Sequence, residues 1–195
     1  YGYDSTYNIS PTSEELFHYS KYLKIPIKKT DLSDSGYRKI VSNKYELFLD
    51  IGNIGPDYQP GHAHSDTFSF ELIKNGKPIF VDTGISTYEK NIVRQNERAT
   101  YSHNTVQIDD VEQTQIWSGF RVAERAKVID KTESENHVEA THNGYEKIGY
   151  LHKRIFLFNK KNIIIQDRIS ESTNNKSKAF FHLHDTIKKP TIKKK

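Results

Sequence analysis

Thr67-Phe68-Ser69-Phe70-Glu71-Leu72-Ile73-Lys74-Asn75-Gly76-Lys77-Pro78-Ile79-Phe80-Val81-Asp82 is the stretch that decides the fold class. Runs 67–74 and 77–82 are rich in aromatic and branched side chains. They flank Asn75-Gly76, a pair suited to a two-residue hairpin turn because such turns demand positive φ. Working outward, the same texture recurs at 37–42, 45–51, 105–108, 120–129, 137–141, 150–158, 163–169 and 179–184, with a turn at 159–162. Strands joined by tight turns, with little helix, predict an all-β chain folded as an antiparallel β-sandwich. The exception comes early. Thr12 can cap a short helix through Leu23, with Glu15 completing a capping box, Leu16, Tyr19 and Leu23 along one face, and Pro26 ending it. Residues 1–35 therefore read as a connector, 36–187 as one sandwich domain and 188–195 as a basic tail.

At 195 residues the chain can bury a sizeable core. Twelve Tyr and 10 Phe suit sheet packing or stacking on flat faces such as sugar rings. The net charge of +4 comes mainly from the five lysines of 188–195; the rest is nearly balanced, which argues against a nucleic-acid partner. An acidic glycan held by a few placed cations remains compatible. The sequence lacks cysteine, so disulfides and thiolate metal sites are excluded. No apolar run approaches the ~20 residues of a membrane span. The chain opens on Tyr1 rather than Met, as expected for an excerpt or processed product.

The densest chemistry is Gln59-Pro60-Gly61-His62-Ala63-His64-Ser65-Asp66. In an extended chain His62, His64 and Asp66 point to one side, at the end of a face continued by Phe68, Phe70 and Leu72. Two imidazoles and a carboxylate suit a Zn²⁺ shell; the competing reading is a loop whose histidines bind nothing. Val81-Asp82-Thr83-Gly84 and Tyr101-Ser102-His103-Asn104-Thr105 add a carboxylate and a third histidine at strand ends. A cupin is disfavoured because the spacings from His64 to Glu71 and from Glu71 to Gly76 do not fit its pattern. The usual protease, esterase and nucleotide motifs are missing.

GHAHSDTFSFELIKNGKPIFVDTGISTY (61–88), RQNERATYSHNTVQID (94–109), QTQIWSGFRVAERAKV (113–128), then THNGY (141–145) and LHKR (151–154), together resemble the heparinase II/III-like proteins. The resemblance implies a carboxy-terminal, supersandwich-like β-sandwich behind a helical toroid, here absent, with the active site between them. It implies that His62 is catalytic and that His64, Asp82 and His103 hold a structural metal, zinc or another divalent ion such as calcium. Arg98, Asn104, Gln113 and Arg121 become candidates for substrate binding. Trp117 also matches, though a lone Trp is expected in the core. His182 and His184 read as bystanders. One geometric condition follows: in a regular hairpin Asp82 would pair with Ser69 and face away from His64, so the chain must bend between His62 and Phe68.

The implied reaction is β-elimination on a uronic-acid polysaccharide in a bacterial periplasm or outside the cell. A base removes the C5 proton, an acid protonates the leaving oxygen, and an imidazole can exchange protons near neutrality. The partners are the acidic polysaccharide and the toroid, which supplies further catalytic residues, so this segment alone is expected to be inactive. The competing class is a non-catalytic, metal-stabilised carbohydrate-binding or scaffold module. A hydrolase would need paired carboxylates, and no convincing pair is visible.

Overall fold

The computed structural model describes residues 11–26, 33–170 and 176–188. In chain order the elements are α1 (Ser13–Tyr22), β1 (Tyr37–Val41), β2 (Tyr45–Asp50), β3 (Phe70–Lys74), β4 (Lys77–Phe80), α2 (Ile92–Glu97), β5 (Val106–Ile108), β6 (Ile116–Trp117), β7 (Arg121–Val122), β8 (Val128–Ser134), β9 (His137–His142), β10 (His152–Phe158), β11 (Ile163–Ile169) and β12 (Ser177–Ala179). Two four-stranded antiparallel sheets, ordered β1-β2-β3-β4 and β11-β10-β9-β8, form the sandwich; β12-β5 and β6-β7 are small ribbons beside it.

Alternation along the strands builds the core. Tyr45, Leu47 and Leu49 of β2 and Phe70 of β3 face Val138 and Ala140 of β9 and Phe156 and Phe158 of β10, with Ile51 and Phe68 completing one cluster. The expected sandwich is what these residues make. The capping box also forms: Glu15 N donates to Thr12 Oγ1 at 3.2 Å and Thr12 N to Glu15 Oε2 at 2.6 Å. Leu16, Tyr19 and Leu23 are all exposed. Of the basic tail, only Lys188 falls within the described residues.

Three departures bear on the site. Asn75 and Gly76 take positive φ as the turn requires, but Lys74↔Lys77 and Ile73↔Pro78 give way to Leu72↔Phe80. Ile79 is thus an extra residue, and continuing that register sets Asp82 level with Phe70 rather than Ser69. Beyond Phe80 the strand leaves β3 for 182–184, through the Phe80↔Leu183 bridge and Val81 N donating to His182 O. The expected strand at 120–129 is two strands, because β7 pairs with β6 while β8 joins β9 in the second sheet. Helix α2 was not read from the sequence. Its signal is Asn91, whose side chain accepts from Arg94 N at 3.0 Å as an N-cap.

Phe156 is fully buried at the meeting of the sheets. Phe156→Ala should cost about 3–5 kcal/mol of unfolding free energy in a urea titration. A loss below ~1 kcal/mol would show that the sheets do not pack there.

Candidate metal centre and active-site rim

Residues 62–70 carry the site, and the backbone there is pinned from below. Arg98 donates to Ala63 O through Nε at 3.0 Å and Nη2 at 2.8 Å. Ser65 N donates to Arg98 O, and Ser65 Oγ meets Thr100 Oγ1 at 2.8 Å. Thr67 O accepts from Thr105 Oγ1 at 2.7 Å and from Gln113 Nε2 at 3.3 Å. Ser65 and Thr67 are buried, while His62 is exposed and His64 and Asp66 are half-buried. From His62 to Thr67 the even-numbered residues keep some exposure, while Ser65 and Thr67 hold the segment from below; beyond it Phe68 and Phe70 enter the core. A 3-10 turn at Pro60–His62 and a φ of 66° at Phe68 provide the required bend.

His64, Asp66 and His103 converge, their ligand atoms all within 4.8 Å of one another. Asp82 joins through His103: its Oδ2 lies 2.7 Å from Nδ1 of the fully buried imidazole. Of the expected ligands, His64 and His103 are thus brought together directly and Asp82 reaches them by one hydrogen bond. Asp66, noted beside the histidines but given no role by the resemblance, enters the cluster.

The electrostatics suit a cation. Burial, then the neighbouring His103, pulls the His64 pKa down to about 3, so it is a neutral donor. Burial lifts Asp66 despite the pull of His103, and Asp50 is pushed up to about 7 by burial and by Asp66. Burial disfavours charge on both His103 and Asp82, yet their mutual hydrogen bond raises the first and lowers the second. Tyr37 is raised to about 12, chiefly by Asp50. Asp50, Asp66, Glu71 and Asp82 with Tyr37 line a cavity of about 160 Å³. Most telling, His103 Nε2 is buried without a hydrogen-bond partner among the described residues. Such an atom is costly unless something binds it, and this donor set fits a divalent metal.

His62 lies apart from that cluster. Its ring meets Tyr88 edge-on at 5.6 Å and Phe120 at 5.9 Å, and Arg94 stacks on both aromatics at 4.9 and 4.6 Å. Tyr88 and Arg94 had no role in the sequence reading. Arg98, Asn104 and Gln113, expected as substrate contacts, are buried. Arg98 also donates to Gly119 O at 2.7 Å, and Asn104 Nδ2 to Phe70 O and Val81 O at 2.8 and 3.0 Å. Their task here is to fix backbone; Arg121 alone of the four is exposed. Trp117 is not core but 43% exposed, because the β6-β7 ribbon stands outside the sandwich. His182 N donates to Asn104 Oδ1 at 2.6 Å, and His184 lies beside Thr186.

Beneath the cluster sits Arg154, fully buried. It donates through Nη1 to Phe68 O at 2.9 Å and to Asn104 O at 2.6 Å, one residue beyond His103. Its Nε and Nη2 take both oxygens of Asp167 at 2.7 and 2.9 Å. A directed chain ends on the same carboxylate. Gly144 N donates to His142 Nδ1, so His142 Nε2 carries the proton and donates to His152 Nδ1 at 3.0 Å; His152 Nε2 then donates to Asp167 at 2.8 Å. Burial holds both imidazoles below their ordinary values, consistent with neutral rings.

The chain matches the model of the heparinase II/III-like C-terminal domain over residues 25–195. It belongs to that family. Among solved structures, heparan sulfate lyase HepC from Pedobacter heparinus is similar at 18% identity and a TM-score of 0.55, covering 80% of this chain and 27% of that one. The heparinase III-BT4657 gene product is similar at 21% identity and a TM-score of 0.54, covering 78% of this chain and 23% of that one. At these identities the likeness shows the fold, and this family member spans about a quarter of either structure. No curated protein matches. No helix among the described residues is long and apolar enough to cross a membrane.

Burial opposes ionisation of Asp167, but hydrogen bonds from His152 and Arg154 and the Arg154 charge hold its pKa well below the ordinary carboxylate range. A depressed carboxyl gives stability that is present above the unfolded value near 4 and is lost as pH falls through the folded one. Asp167→Asn should therefore be most destabilising at neutral pH, with the deficit shrinking below about pH 4. A deficit constant down to pH 2 would contradict this. Arg154→Met should cost about 3–5 kcal/mol, since it leaves Asp167 and two carbonyls uncompensated.

Proposed function

We propose that this domain is half of the active site of a lyase that cleaves an acidic, uronate-containing polysaccharide by β-elimination. The observation that carries the reading is the division of labour within one pinned segment: His62 exposed in an aromatic seat, His64 two residues on and turned into a buried metal-type cluster. In this reading His62 exchanges a proton with the sugar or its leaving oxygen. Tyr88 and Phe120 would hold the imidazole at the rim, and the exposed Arg121 would meet the substrate's negative charge. Elimination also needs the sugar carboxylate neutralised as charge develops, and an acid–base partner for His62. Those groups would come from the helical toroid preceding this segment, and the enzyme would work in the periplasm or outside the cell.

His64, His103, Asp66 and Asp82 would hold a divalent metal, zinc by donor type, with calcium the alternative. Bound there, the metal would supply charge compensation and rigidity under the rim. Asp82 would either ligate directly or orient His103 through Nδ1, as carboxylates beside metal-bound histidines do. The alternative, a non-catalytic metal-stabilised carbohydrate module, is favoured by one observation: Arg98, a natural partner for a uronate, faces backbone.

Two substitutions in the full-length protein separate these readings. His62→Ala should reduce formation of unsaturated product from a uronate polymer by ~10²-fold or more, leaving metal content and melting temperature unchanged. His64→Ala should lower all three, because metal binding is coupled to folding. If full-length wild-type protein forms no unsaturated product from heparan sulfate, alginate or related polymers, the lyase reading fails. Incubated alone, the 195-residue chain should give none, and robust cleavage by it would overturn the half-site account.

A further inference from the structure

Three turns frame one side of the sandwich pole opposite His62. Ser42 to Lys44 join β1 to β2, Asn75-Gly76 joins β3 to β4, and Asn159 to Asn162 join β10 to β11. From Tyr45 at this pole to Asp50 beside the metal-type cluster, β2 advances roughly 17 Å, at ~3.3 Å per residue. The turns are fixed to one another across the two sheets. Tyr45 Oη donates to Asn159 O at 2.8 Å, and Asn75 N donates to Lys44 O at 2.9 Å. Asn159 Oδ1 shapes its own turn by accepting from Lys161 N and Asn162 N, both at 2.9 Å.

Lys44, Lys74, Asn75, Lys161 and Asn162 line a groove of about 590 Å³ between the sheets, floored by Tyr45, Leu72 and Ile163. Lys77 and Lys160 stand next to it in the same turns. None of these five lysines makes an ion pair among the described residues. Glu46, two residues on from Lys44, is taken up by Lys39, and Glu135 lies in the turn between β8 and β9 at the same pole. The result is a preformed, cationic, amide-lined groove with an apolar floor, of a size that accepts one or two sugar units.

We infer that this groove is a second, non-catalytic binding site for a carboxylated or sulfated polysaccharide, holding a distal stretch of the polymer while another stretch is cut at the His62 rim. The ligand class rests on the lyase reading; the groove itself does not. Ammonium groups on flexible stems suit sulfate or carboxylate, and the two amides suit ring hydroxyls.

The test uses the full-length protein, its Lys44→Gln/Lys74→Gln/Lys161→Gln variant and the matching triple Arg variant. Affinity is measured for long-chain heparan sulfate, dextran and duplex DNA at low and moderate salt. Turnover is measured separately on a heparan tetrasaccharide. The Gln variant should bind the long chain about tenfold more weakly, with a shallower salt dependence. It should keep wild-type tetrasaccharide turnover and metal content, and the Arg variant should bind like wild type. Unchanged long-chain affinity in the Gln variant overturns the proposal while leaving any lyase activity intact. Equal binding of dextran, or DNA bound as tightly through the same lysines, overturns it as well. Weakened binding by the Gln variant, with no unsaturated product from wild type, supports the groove and removes the lyase reading alone.

Discussion

The ion pair between Arg154 and Asp167 holds the rest together. A buried guanidinium must find partners for all its donors, and here they come from three directions: Asp167 on the adjacent strand, Phe68 O in the His64 segment and Asn104 O beside His103. The two loops with the candidate ligands are thereby tied to the second sheet at one point, although neither belongs to it. His142 and His152 keep Asp167 aligned from the other side, and Phe68 packs its ring against both imidazoles, at 4.9 and 5.7 Å. Phe68 in turn adopts a positive φ, unfavourable for a bulky residue and tolerated where surrounding contacts determine it. A buried pair of this kind is weak evidence for net stability, but removing one member is costly. Its value lies in geometry: it sets where His64 and His103 can meet.

Once that geometry is set, the chemistry of the rim follows from burial. Asp66 and Asp82 sit with the two histidines at the mouth of a small cavity that Asp50 and Glu71 also line. Without a cation, burial pushes both Asp66 and Asp50 toward protonation, with Asp82 adding to the first and Asp66 to the second, and His103 Nε2 goes unmatched among the described residues. A divalent ion would relieve all three conditions together. His62 stays outside this arrangement because its neighbour Ala63 is held by Arg98, so two histidines one residue apart can have different duties.

Much of this was legible in the sequence, and for identifiable reasons. Asn75-Gly76 announced the hairpin because its turn needs two positive φ values, and the spacing of His64 and Asp66 does bring both into one cluster, whereas the 3-10 turn at Pro60–His62 sets His62 apart. The extra residue at Ile79 was not legible: it depends on 182–184 pairing with the end of β4, a contact between segments a hundred residues apart. Arg98, Asn104 and Gln113 looked like substrate contacts because polar residues in a motif invite that reading; only the folded chain shows their donors turned onto carbonyls. Trp117 was expected inside, since large aromatics usually are, but it lies in a short two-stranded ribbon apart from the two large sheets. Arg154 and Asp167 lie in strands that read as ordinary alternation. Their partnership exists only through the register of β10 against β11, which pairs the two directly.

Zinc-edge X-ray absorption on the full-length protein, purified without added metal and then reconstituted with one equivalent, reads the donor set at the rim most directly. The spectrum should show a nitrogen and oxygen shell with the multiple-scattering signature of two imidazoles, and His64→Ala should reduce that signature to one. An ion surrounded by water alone, or a wild-type signature that survives loss of His64, would contradict the claim that this segment builds a metal centre beside His62.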